Sequence, residues 1–99
     1  MEKAKVYFTK NLTSESLINL YKKANCSLEG KVAVKVHSGE KGNQNFLHPE
    51  YFKEIIDYVN GTVVECNTAY DGARNTTEKH KELLEEHEWT KYFNVDVLD

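Results

Sequence analysis

Hydrophobic residues along this chain change spacing from stretch to stretch, and each change marks a predicted element. Lys5 to Thr9 is a β-branched and aromatic run that reads as a first strand. Leu17, Leu20, Tyr21 and Ala24 then recur at helical spacing behind Thr13, a residue type that caps helix starts, and the acidic Glu15. This predicts a helix from Ser14 to Asn25. After Gly30, the valine-dense segment Lys31 to Val36 predicts a central strand buried on both faces.

His37 to His48 shows no periodicity and carries Gly39 and Gly42, so it reads as a long polar loop. Pro49 suits a first helical position, where its missing N–H costs nothing. Phe52, Ile55, Ile56 and Val59 follow at i, i+3, i+4 and i+7. That helix is expected to end at Asn60-Gly61, with Gly61 in the left-handed conformation. Thr62 to Cys66 reads as a third strand, and Asn67 to Arg74 as a second irregular loop. Asn75, with Glu78 three residues later, gives a capping-box start to a third helix with Leu83 and Leu84 turned inward. Val95 to Leu98 predicts a fourth strand.

The order βαβαβαβ implies a three-layer α/β/α Rossmann-like fold with a mostly parallel sheet of about four strands. In such sheets ligands bind beyond the carboxyl ends of the strands, and both long loops leave those ends. Ninety-nine residues suffice for one domain, spanning 1–99, and exclude two separate cores. From size scaling, such a domain should expose about 5,800 Å² when folded. Hydrophobic residues at 39% and charged residues at 29% fit a globular chain and argue against intrinsic disorder. The net charge of −3 gives no general attraction to nucleic acid or anionic lipid, so neither is expected as a partner.

There is no apolar N-terminal signal stretch and no run long enough to span a membrane, which predicts a cytoplasmic protein. Cys26 and Cys66 are then expected as free thiols, Cys66 as a buried and inert strand residue or, beside a cation, a reactive one. Tyr7, Phe8, Phe52, Tyr58 and Trp89 are expected as packing residues. The strand-like ending at Tyr92 to Asp99 suggests the N-terminal fragment of a longer protein.

The chemistry-bearing residues cluster in the two loops. His37, Glu40 and His48 are ligand types that a divalent metal takes, if the loop path brings them together; otherwise His37 bonds backbone at a strand end and His48 caps a helix. Gly39 and Gly42 permit close backbone approach to an anion, or simply make turns. Neither a Walker loop nor a dinucleotide fingerprint occurs. Tyr70, Asp71 and Arg74 supply a phenol, a carboxylate and a guanidinium. Arg74 would either grip an anionic ligand or pair internally with Asp71. No catalytic residue can be assigned.

Three segments, Val34 to Asn43, His48-Pro49-Glu50 and Glu65 to Arg74, together resemble the N-terminal half of the uncharacterised Fe–S centre proteins, the domain of unknown function 362. The resemblance covers nearly the whole chain. It implies a redox-associated protein in which a [4Fe-4S] cluster would lie in a downstream region, because this chain has no ferredoxin cysteine cluster and so no cofactor of its own. The motif positions it marks as ligand-binding candidates are His37, Gly39, Glu40, Asn43, Asn67, Thr68, Tyr70 and Arg74. Three functions follow as expectations. The first is a ligand-binding or catalytic domain taking an anionic small molecule. The second is a docking module for the remainder of a longer chain, with an open sheet edge that could also make a homodimer. The third is a metal-dependent hydrolase built on His37, Glu40 and His48.

Overall fold

A computed structural model describes residues 1–98. Helix α1 spans Ser14–Ala24, strand β1 Val32–Lys35, helix α2 Lys53–Val59 behind a 3-10 turn at Pro49–Phe52, and strand β2 Gly61–Glu65. Helix α3 spans Thr77–Glu86, the short α4 Trp89–Tyr92, and strand β3 Val95–Val97. The fold is therefore mixed α/β, with a sheet ordered β1-β2-β3 and parallel throughout. Register pairs Val34 with Val63 and Val63 with Val95, aligning one row of valines across the sheet.

The sheet has three strands among the described residues, not four. Lys5 to Thr9 forms no ladder: Val6 and Phe8 are exposed and Tyr7 largely so, against the packing role expected of Tyr7 and Phe8. A β-prone run needs a neighbour to satisfy its backbone groups, and without that pairing its propensity has nothing to act on. β1 is an edge strand with alternating burial rather than a central strand buried on both faces; the central place belongs to β2.

Helix boundaries follow local chemistry. The Thr13 hydroxyl accepts from the Ser16 N–H and caps α1, which ends on Asn25 at φ 54°. α2 ends on Asn60 in the left-handed region at φ 50°, so the conformation expected of Gly61 falls one residue earlier, on a type that tolerates it. Gly61 has a steric role instead, because a Cβ there would lie 2.7 Å from Val34 Cγ2. The cap of α3 is Thr76, which accepts from the Lys79 N–H, rather than Asn75.

The core unites Val36, Ile56, Val63, Leu84 and Trp89, with Val34, Phe52, Ile55, Phe93, Val95 and Val97 packed around it. On the opposite face of the sheet Ala33, Lys35, Thr62 and Asp96 are exposed, while Val64 is buried. No described helix is long and apolar enough to cross a membrane.

Candidate functional site

Glu65 ends the central strand on the same face as Val63, immediately after two buried valines, and its side chain is 1% exposed. A carboxylate taken out of water needs donors on both oxygens, and the neighbouring segments supply them. Lys35, one strand over, swings its Nζ to Glu65 Oε1 at 2.5 Å, and the Cys66 N–H donates to the same oxygen at 3.1 Å. The Ser38 N–H and hydroxyl donate to Oε2 at 3.1 and 2.7 Å, with Arg74 Nη1 at 3.4 Å. Burial pushes the Glu65 carboxyl up, but the donors from Lys35, Ser38 and Cys66 outweigh it and hold it down at about 2.

His80 lies behind this carboxylate on the apolar face of α3, one turn before Leu83 and Leu84, with no exposed surface. Its Nε2 faces Ser38 Oγ at 3.1 Å and its Nδ1 meets the Asn67 carboxamide at 3.1 Å. The other end of that carboxamide bonds Thr77. Burial lowers the His80 pKa, against the pull of Glu65 in the opposite direction. Ser38, His80 and Asn67 thus line up as a nucleophile, base and orienting group would. Yet Ser38 has no exposed surface, and its single hydroxyl proton is committed to Glu65. This arrangement positions other groups and offers no accessible nucleophile.

What it positions is Arg74. That guanidinium is 5% exposed, anchored from behind by Glu65, and its Nη2 points to the crevice between the two loops. There Nη2 donates to Glu40 Oε1 and, at 2.9 Å, to Tyr70 Oη; His37 Nε2 lies 3.4 Å away. The Tyr70 hydroxyl donates to the same Glu40 oxygen at 2.5 Å. The bonds from Tyr70 and Arg74 lower the Glu40 pKa, and the bond to Glu40 raises that of Tyr70. Burial works against the Arg74 charge, but Glu40 and Tyr70 more than compensate and hold it protonated. Arg74 Nε is buried without a hydrogen-bond partner among the described residues.

Of the candidate residues, His37, Glu40, Tyr70 and Arg74 meet at this crevice. Arg74 pairs with Glu40 and Glu65; Asp71 instead accepts from Asn75. Gly39 is buried within the first loop, against Phe46 and His87, and Asn43 donates its N–H to the Glu40 carbonyl in the turn that follows. Thr68 braces the second loop, its N–H donating to the Arg74 carbonyl and its hydroxyl to that of Tyr70. Asn67 belongs to the buried network. His48 turns elsewhere, bonding the Gln44 carbonyl at 3.3 Å and packing its ring on Phe46. Among the described residues no group of three or more His, Cys, Asp or Glu side chains is placed to hold a metal ion. Cys66, expected to be buried, is exposed, as is Cys26, and both are free thiols.

Glu65, Ser38, His80 and Lys35 are the residues that sequence reasoning missed. The signals were present: a carboxylate closing a run of buried strand residues, and a histidine one turn before two inward leucines.

A family model described as Domain of unknown function (DUF362) matches residues 32–97. No curated protein and no solved structure matches the chain.

Proposed function

The chain belongs to the DUF362 family, an uncharacterised domain, and from that membership and the crevice geometry we propose that it is a ligand-binding domain taking an anionic small molecule on Arg74. The observation that carries this reading is a nearly buried guanidinium fixed from behind by Glu65 and directed at the polar side chains where the two loops meet. Holding a cation out of water is costly unless its counter-charge is assured. Arginine suits the task because its planar fork matches carboxylate and phosphate oxygens. The crevice lies at the carboxyl ends of parallel strands, where α/β folds bind ligands.

A second reading, docking, rests on the exposed sheet face bearing Ala33, Thr62 and Asp96. Parallel sheets ordinarily have both faces covered, so a layer on this side would complete a Rossmann-like three-layer arrangement. On this reading that layer would come from the remainder of a longer, cytoplasmic, redox-associated chain, and any [4Fe-4S] cluster would belong to that remainder.

Titrating acetate and inorganic phosphate against the chain, followed by amide NMR, tests the crevice reading. Shifts should concentrate at Gly39, Glu40, Tyr70 and Arg74 and weaken in Tyr70→Phe and Arg74→Gln. Shifts that are absent, or identical in both variants, would remove the reading.

A further inference from the structure

We infer that Glu40 is the crevice's own stand-in ligand: its carboxylate occupies the place of a monoanionic carboxylate ligand, which binds by displacing it. The inference rests on the crevice reading above and deepens it by naming the ligand class. Glu40 Oε1 accepts from both the Arg74 guanidinium and the Tyr70 hydroxyl, the contacts through which a carboxylate-bearing molecule would be held. Unlike Glu65, Glu40 is not built into the core, because its side chain is 43% exposed. It sits between Gly39 at φ +94° and Gly42 at φ +81°. A Cβ at Gly42 would meet nothing within 4 Å, so the outer side of this turn has room to move.

Charge supports a carboxylate over a phosphate. Behind the crevice, Lys35 and Arg74 face the single buried carboxylate of Glu65. Without Glu40 the cluster has one surplus positive charge, which a monoanion neutralises. A phosphate dianion would overfill it and leave the cluster with a net negative charge.

An internal ligand competes with an external one, and affinity falls by the fraction of time the clamp stands open. Acetate and inorganic phosphate should therefore be titrated in parallel against wild type, Glu40→Gln and Glu40→Ala, with circular dichroism confirming that each variant is folded. Glu40→Gln removes the charge but keeps the side chain's shape, and Glu40→Ala clears the clamp entirely. Acetate affinity should rise at least about tenfold in Glu40→Ala, rise less in Glu40→Gln, and fall back when Tyr70→Phe is added. If wild type binds acetate through Arg74 but removing Glu40 leaves affinity unchanged or weaker, the stand-in inference is overturned while the crevice reading survives. A larger gain for phosphate than for acetate would overturn the ligand class. If no folded variant binds either anion, both readings fall.

Discussion

Glu65 carries the electrostatic weight of this molecule at the scale of single residues. It is ionised inside the protein, with donors from Lys35, Ser38, Cys66 and Arg74 converging on its two oxygens. Glu65→Gln would turn the buried carboxylate facing Lys35 and Arg74 into a neutral amide and leave Arg74 with Glu40 as its counter-charge, and breaking such a buried pair costs up to about 3–5 kcal/mol. Urea denaturation should show a loss of that size. The pH dependence has a definite sign. Because its folded pKa of about 2 lies below the ordinary value of 4.5, the contribution of Glu65 is fully present above pH 4.5 and disappears as pH falls toward 2. His80 acts in the same direction at higher pH: its pKa is lowered from 6.5, so protons bind the unfolded chain more readily as pH drops below that value. Stability measured from pH 7 to pH 2 should therefore decline in wild type, and Glu65→Gln should flatten the limb below pH 4.5 while steepening the one below 6.5, because the pull of Glu65 that raises the His80 pKa is gone.

Within the elements, the two loop glycines share a positive φ but have different surroundings, and should respond differently to alanine. A Cβ on Gly39 would lie 2.6 Å from the Phe46 ring and 3.0 Å from His87 Nδ1, whereas one on Gly42 meets nothing. Gly42→Ala should cost only the left-handed backbone penalty of about 1–2 kcal/mol. Gly39→Ala adds overpacking, typically about 1–3 kcal/mol more. Thermal melts of the two variants side by side should show this ranking, and equal losses would mean that the first loop repacks freely around Phe46.

How much of this was legible beforehand depended on the range of the interactions involved. α1, α2 and α3 announced themselves through local spacing and caps, as in Thr13 with Ser16 and Pro49 at the start of its turn. That the two polar loops meet was readable from topology, because both leave the same edge of a parallel sheet; which of their side chains touch, Tyr70 on Glu40 and Asn67 on His80, was not. Two further things were not readable. Lys5 to Thr9 has strand composition, but pairing is a property of two segments, and one alone does not reveal it. Ser38, Glu65 and His80 are separated by 27 and 42 positions along the chain, so their bonds exist only once register and helix packing are set.

Across the whole molecule, the surface is larger than a chain of this length would normally leave. The accessible area is 7439 Å², against about 5,800 Å² expected from size scaling. The radius of gyration is 15.2 Å, where a compact domain of this length would have about 13 Å. An extended N-terminal segment, a sheet face without helices over Ala33 and Thr62, and the outer edge of β1 account for the excess. Unpaired edges template further pairing. Light scattering over a concentration series should show the apparent mass of the isolated chain rising, and Ala33→Lys, which places a charge on that face at the edge strand, should reduce the rise. A concentration-independent monomer would show that this face and edge tolerate water.

The chain contains a single tryptophan. Trp89 is fully buried, and its indole N–H donates to the Ser38 carbonyl at 3.0 Å, an oxygen that also lies 2.8 Å from His87 Nδ1. Ser38 is one residue from His37 and two from Glu40. The protein therefore contains its own optical probe, wired by one carbonyl to the loop that would have to give way when an anion enters. A displacement of that loop will change the colour or intensity of the only indole emission in the molecule, so occupancy of the crevice can be followed in unmodified protein without a dye.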